Sequence, residues 1–207
     1  MSVQTVALIF GISYLIGSFP TAYLICRLHG INIFEVGSGN MGANNTARAL
    51  GIQWGVVVWV FDGLKGLLAM LIARYIVAPD DASAAMLISA VAVVFGHNWS
   101  LFATLMTGRI RGGKGAATAS GTWILLAPPA LFPVVIMLWA VIVALTRYMS
   151  LAVLTSVALA SIIIILVRGD DPIYILYILV PLMVFYRHRE NIKAILAGKE
   201  RRFGEKI

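Results

Sequence analysis

Residues 108–129 read Gly-Arg-Ile-Arg-Gly-Gly-Lys-Gly-Ala-Ala-Thr-Ala-Ser-Gly-Thr-Trp-Ile-Leu-Leu-Ala-Pro-Pro, a cationic, glycine-rich stretch that runs straight into an apolar segment and stops at two prolines. Cations flanking so apolar a segment belong at a bilayer surface. The prolines divide what would otherwise be one very long helix into two short ones, 116–127 and 130–145, joined by a tight turn. Further apolar runs lie outward from it, at 3–26, 52–77, 84–106, 151–167 and 173–185, with polar islands between them. A spanning helix takes about 20 apolar residues. The expectation is an all-α, polytopic membrane helix bundle of about seven transmembrane helices, folded as a single domain over 1–207.

Composition supports this class. With 60% hydrophobic and 12% charged residues and a mean hydropathy of +0.92, the chain cannot hide its apolar surface in a soluble core. A net charge of +7 would suggest nucleic acid in a soluble protein, but here the placement of the charge decides, and no nucleic-acid partner is expected. With the N-terminus outside, Arg27, Arg48, Arg109, Arg111, Lys114, Arg147 and the basic tail 187–206 all fall in the cytoplasm. The opposite loops hold Asp80, Asp81, Asp170 and Asp171, offset by Arg74 and Arg168. This is the positive-inside pattern. It gives a multi-pass protein of the cell membrane, an inner membrane in bacterial terms, with a cytoplasmic C-terminus and its polar islands on the cytoplasmic side. Cys26 is alone, which excludes a disulfide framework and suits a small apolar core residue. The first apolar run lacks a basic n-region and a small-residue cleavage site, so it reads as retained.

The first island, 35–48, is Glu-Val-Gly-Ser-Gly-Asn-Met-Gly-Ala-Asn-Asn-Thr-Ala-Arg. Gly37, Gly39 and Gly42 formally satisfy a dinucleotide fingerprint, but no βαβ unit surrounds them. What remains is a glycine-rich turn entering a helix, with N–H groups and the polar side chains of Ser38, Asn40, Asn44 and Asn45 suited to a phosphate or polar head group. The bland alternative is a helix cap. The second island imitates a Walker loop through Gly108, Gly113 and Lys114, yet Gly115 stands where a hydroxyl should hold magnesium, and no buried strand leads in. Lys114, set between Gly113 and Gly115 and close to Gly112, is therefore a candidate for pairing with a phosphate. Arg109 and Arg111 fit topology and anionic lipid as well as substrate.

Between the islands, Asp62 and Lys65 lie three apart on one helix face and can pair, facing the bundle interior or near its cytoplasmic half, either as a structural ion pair or in direct contact with substrate. His97 is either a general base or phosphate donor, or a structural histidine bonded to a neighbouring helix. Trp99 reads as an interfacial anchor. In the tail, Ile192, Ile195 and Leu196 define an amphipathic helix on the cytoplasmic surface, with His188, Asn191 and Glu200 as its site candidates.

The set resembles the bacterial acyl-phosphate:glycerol-3-phosphate acyltransferase family over nearly the whole chain. The resemblance is carried by Gly-Ser-Gly-Asn-Met-Gly-Ala-Asn-Asn at 37–45, Phe-Asp-Gly-Leu-Lys-Gly at 61–66, Gly-His at 96–97, Gly-Gly-Lys-Gly-Ala-Ala-Thr at 112–118, Arg-Tyr-Met-Ser at 147–150 and Asn-Ile-Lys at 191–193 with Gly198 and Glu200. The chain departs from the family pattern at Asn44, Ser100 and Ala194, where Thr, Pro and Arg are usual, and has a longer segment from His97 to Lys114. The resemblance implies acyl transfer from acyl-phosphate to the sn-1 hydroxyl of glycerol 3-phosphate, giving lysophosphatidic acid for phospholipid synthesis.

The donor is an activated mixed anhydride, so no covalent enzyme intermediate, metal or cofactor is expected. On this reading Lys114 and Arg48 bind substrate phosphate, and Ser38 with the backbone at Gly37, Gly39, Gly42, Gly112 and Gly113 completes a cradle. Asn40 supports the acyl carbonyl or orients the acceptor hydroxyl beside Asn45. Ser150 and Asn191 hold the glycerol phosphate, with help from His188 or His97. Membrane lipids and the soluble enzyme that makes acyl-phosphate are the expected partners of a monomer. Rival readings are a transporter of an anionic solute, a lipid phosphotransferase, or an acyltransferase with another acceptor.

Overall fold

A computed structural model describes residues 1–205; Lys206, the last cation of the tail, lies outside the described residues. Those residues are all-helical, with a lone antiparallel bridge between Ser100 and Arg111 as the one β-type pairing among them. Four helical stretches are long and apolar enough to cross a membrane, Val3–Leu28, Ile52–Val77, Pro79–Asn98 and Met149–Val167. Ala116–Leu126, Leu131–Thr146 and Pro172–Arg187 are shorter apolar helices.

Two of the expected continuous runs are broken. The first, 3–26, divides into α1 (Val3–Ser18) and α2 (Thr21–Leu28). Pro20 has no N–H to continue the ladder, and the Phe19 carbonyl accepts from the Thr21 N–H at 3.2 Å and from Lys65 Nζ at 3.1 Å. After the short α3 (Ala43–Leu50) come α4 (Ile52–Ile72), which ends in a π-helical turn at Ala73–Val77, and α5 (Ala82–Asn98).

The run expected over 84–106 stops at Asn98 and restarts as α6 (Leu101–Thr107). The Ser100 N–H donates to Arg111 O and the Gly113 N–H to His97 O, both at 2.9 Å. Those bonds turn the chain out of the helix. Ser100 then caps α6 by accepting from the Ala103 N–H at 3.1 Å.

The prolines at 128 and 129 end α7 (Ala116–Leu126) and lead into α8 (Leu131–Thr146), as the sequence leads one to expect. Then follow α9 (Met149–Val167), a 3-10 segment Pro172–Ile178, α10 (Leu179–Arg187) and α11 (Arg189–Leu196).

The principal core joins α4, α5, α7, α9 and α10 through Met70, Leu87, Val93, Leu126, Ile164 and Val184. Glycine sets the closest approaches. Gly121 of α7 lies against the Gly63 carbonyl of α4, and Gly96 of α5 against the Tyr14 carbonyl of α1, so a Cβ at either would meet backbone. Small residues at such crossings let helices pack where lipid supplies no hydrophobic drive between them. Leu8, Val60, Phe61, Leu68, Leu145, Ile162 and Leu166 remain exposed. So much uncovered apolar surface belongs against hydrocarbon, and the chain is a multi-pass membrane protein. Cys26 is fully buried in a second cluster with Tyr23, Ile33, Met41 and Val58. The N-terminal amine pairs with Asp81 Oδ2 at 3.1 Å, so the N-terminus lies at the acidic-loop end.

Candidate active site

The first island is built around one side chain. Asn45, on the first turn of α3 and 1% exposed, donates through Nδ2 to the carbonyls of Ile33, Val36 and Asn40 at 3.1, 3.0 and 2.9 Å, and its Oδ1 accepts from the Ser38 N–H at 3.0 Å. An amide saturated in this way shapes the loop from within. Gly37 and Gly39 take left-handed φ values of 56° and 61°, which a Cβ would oppose. The result presents Ser38 outward, with Asn40 Nδ2 donating to its Oγ at 2.8 Å.

The second island is tied down from two directions. Besides the Gly113 bond to His97, Arg187 donates through Nε to the Gly113 carbonyl at 2.9 Å and through Nη2 to the Gly112 carbonyl at 3.4 Å. Arg187 thus spans the loop and α10. The sequence shows it as one more flanking cation, and its immediate neighbourhood to His188 is the signal that marks it. Lys114 projects from the loop and donates to Asn191 Oδ1 at 2.6 Å. Asn191 Nδ2 and Ser150 Oγ both donate to Glu200 Oε1, at 2.9 and 2.7 Å. Glu200 is therefore the junction of tail, loop and α9.

These groups converge. One cavity of about 460 Å³ is lined by Ser38, Asn40, Gly42, Asn45, Arg48, His97, Lys114, Ser150, His188 and Asn191. Gly37, Gly39, Gly112 and Gly113 stand outside its lining and shape the loops behind it. Arg109 and Arg111 are not part of the wall either; the Arg111 guanidinium lies 4.5 Å from the Phe34 ring centroid, a cation–π contact between the second island and the residue that precedes the first. Away from the polar groups the cavity wall becomes apolar, formed by Val56, Trp59, Trp123, Val135, Trp139 and Val157. Asp62 and Lys65 pair at 2.7 Å, as their spacing implies.

Charge in the cavity is conditional. Burial lowers the Lys114 pKa to about 8; Glu200 opposes that shift, while Arg48 and Arg187 reinforce it. His188 is held at about 4, first by burial and then by Lys114, against the raising effect of the Val184 carbonyl. Its Nδ1 lies 2.8 Å from that carbonyl, so Nδ1 carries the proton of the neutral ring and Nε2 is an acceptor. Arg48 is lowered by burial and then by Arg201, with Glu200 opposing. The site can gather phosphate oxygens, accept a hydrogen bond from a hydroxyl, and accommodate an apolar chain.

A sequence profile described as glycerol-3-phosphate acyltransferase matches residues 7–198. This chain belongs to the glycerol-3-phosphate acyltransferase family. A relative of that description from Desulforudis audaxviator is 40% identical over 208 residues, covering 98% of each chain. The structure of PlsY (YgiH), an integral membrane glycerol 3-phosphate acyltransferase, in its glycerol 3-phosphate form superposes with a TM-score of 0.84 at 34% identity over 96% of both chains. The lysophosphatidic acid form of that protein gives 0.82 at 34% identity, covering 96% of this chain and 95% of the other. A glycerol-3-phosphate acyltransferase must hold an anionic acceptor and a lipid chain together, and this cavity combines cationic groups with an apolar wall.

Proposed function

We propose that the protein transfers a fatty acyl group from acyl-phosphate to the sn-1 hydroxyl of glycerol 3-phosphate, releasing lysophosphatidic acid and phosphate for phospholipid synthesis. One observation carries the reading: the polar islands and the tail meet at Lys114 in a cavity whose remaining wall is apolar. Lys114 and Arg48 bind phosphate oxygens, with Ser38 and Asn40 on the same wall. Ser150 and Asn191, fixed by Glu200, hold the glycerol phosphate. The acyl chain lies along Trp59, Trp123 and Trp139.

The acceptor oxygen attacks the acyl carbonyl carbon, the carbon–oxygen bond to phosphate breaks, and phosphate leaves. His188 Nε2 accepts a hydrogen bond from the attacking hydroxyl. With its pKa near 4 the imidazole is too weak a base to keep the proton. A phosphate oxygen, whose second pKa in an ester is about 6, takes it. Proximity and charge stabilisation do most of the work for so activated a donor.

The positive-inside distribution supports seven spans with the N-terminus outside and the cavity, with the C-terminal tail, on the cytoplasmic side. There it meets the soluble enzyme that makes acyl-phosphate. Completeness of the cavity within one chain supports a monomer. The test uses purified protein in mild detergent, mixed with acyl-phosphate and glycerol 3-phosphate, following phosphate and lysophosphatidate together. Equal appearance of both, lost in Lys114→Ala, is the expected result. Phosphate release without the lipid would mean another acceptor, and an idle donor with folded protein would overturn the reading.

A further inference from the structure

The buried charges where Asp62 and His97 reach the cavity pose a separate problem. Asp62, Lys65 and His97 are 2%, 7% and 2% exposed, and burying such charges is costly unless the arrangement serves a purpose. The Lys65 ammonium has three protons and no lone pair. Each proton has an acceptor: Asp62 Oδ1 at 2.7 Å, Phe19 O at 3.1 Å and His97 Nδ1 at 2.8 Å. Asp62 is steadied in turn by Thr21, whose hydroxyl lies 3.4 Å from the same oxygen.

This fixes the histidine. An N–H at Nδ1 would set two donors face to face, so Nδ1 carries the lone pair and the proton of the ring sits on Nε2. That nitrogen lies against Gly113, where a Cβ would collide with it. His97 also forms part of the cavity wall. Nε2 makes no hydrogen bond within the protein among the described residues, although the ring is almost wholly buried. It is a fixed donor, beside the loop that carries Lys114, facing a cavity suited to phosphate.

We propose that Asp62 and Lys65 are positioning residues that lock His97 in its Nε2–H tautomer, and that this N–H donates to a phosphoryl oxygen of bound substrate. The proposal rests on the acyltransferase reading for its ligand. It converts what looks like a structural ion pair into a device that sets the direction of a hydrogen bond at the site. The break at Pro20 also serves this frame, because the Phe19 carbonyl at the end of α1, which accepts from the Thr21 N–H at 3.2 Å, supplies the third acceptor.

Two replacements of His97 separate the donor from a merely structural ring. The amide nitrogen of Gln reaches the place of Nε2, whereas the amide of Asn reaches that of Nδ1 and can keep the bond from Lys65. His97→Gln should retain at least about ten times the kcat/KM of His97→Asn and of His97→Phe, the range expected for losing one bond to a charged group. A rise in KM for acyl-phosphate would assign the oxygen to the donor, and a rise for glycerol 3-phosphate to the acceptor. Equal or better activity in His97→Asn would overturn the proposal.

Nitrogen-15 spectra of the wild-type histidines provide a readout independent of turnover. They should show His97 protonated at Nε2 alone, with that signal moving when inorganic phosphate is added. The double variant Asp62→Asn, Lys65→Met, which removes both charges together, should give a tautomer mixture. A proton on Nδ1, or an Nε2 signal indifferent to phosphate, would sink the assignment even if no His97 variant folds. If wild-type protein made no lysophosphatidate, the acyltransferase reading would fail while the spectra still decided the tautomer.

Discussion

Among the described residues the Lys114 ammonium has one close acceptor, Asn191 Oδ1, and two cationic neighbours that disfavour its charge. A substrate phosphate relieves both conditions, supplying anionic oxygens where the protein supplies a neutral one. Lys114→Ala should lower kcat/KM by about a hundredfold or more while the protein remains folded in the membrane, checked by turnover alongside thermal unfolding. The same residue sets a pH limit. Its pKa is lowered to about 8, so the free enzyme carries this charge below that value and loses it above. Thus kcat/KM should fall by about tenfold per pH unit beyond 8, and Lys114→Arg, whatever its activity at neutral pH, should show no such limb because a guanidinium stays charged. His188, already neutral above about 4, should leave no inflection between pH 6 and 8.

Helix crossings decide whether these side chains meet at all. On α7, Gly121 touches the Gly63 carbonyl of α4, and Gly66 of α4 touches the Thr118 carbonyl in return. Gly121→Ala should force the pair apart, lowering stability by about 1–3 kcal/mol and activity with it. Gly11→Ala, in a helix position with open space around the added methyl, should raise stability by up to about 1 kcal/mol from helix propensity alone. Thermal unfolding in one detergent compares the two. The glycines were visible in the sequence, but not which of them touched a neighbour. Helix breaks divided in the same way: Pro128 and Pro129 announce theirs locally, whereas the break after Asn98 depends on Ser100 bonding to Arg111, a partner eleven residues on. Among the candidate site residues, Lys114, Ser38, Arg48 and Asn191 are marked by their unusual surroundings in an apolar chain. Arg187 is harder to read, because its bonds go to the carbonyls of Gly112 and Gly113, which no spacing rule connects.

Across the whole molecule, the tail closes the site that the bundle opens. Arg147, between α8 and α9, donates through Nε and Nη2 to the Phe203 carbonyl at 3.1 and 2.7 Å, and the Phe203 N–H returns a bond to Arg147 O at 2.7 Å. That strap brings Glu200 to Ser150 and Asn191, and Phe203 to the cavity wall. The tail therefore acts on Lys114 in two ways, through the geometry of Asn191 and through the field of the Glu200 carboxylate. Two substitutions separate them. Glu200→Ala removes the acceptor shared by Ser150 and Asn191, so KM for glycerol 3-phosphate should rise by about tenfold or more, the cost of losing bonds to a charged group. Glu200→Gln retains an oxygen for both donors but removes the charge that holds the Lys114 pKa up. Its alkaline limb should then begin below 8 while KM near pH 6.5 changes little, because Lys114 is still protonated there. A Glu200→Gln profile identical to that of the wild type would show that the tail shapes the pocket without tuning its charge.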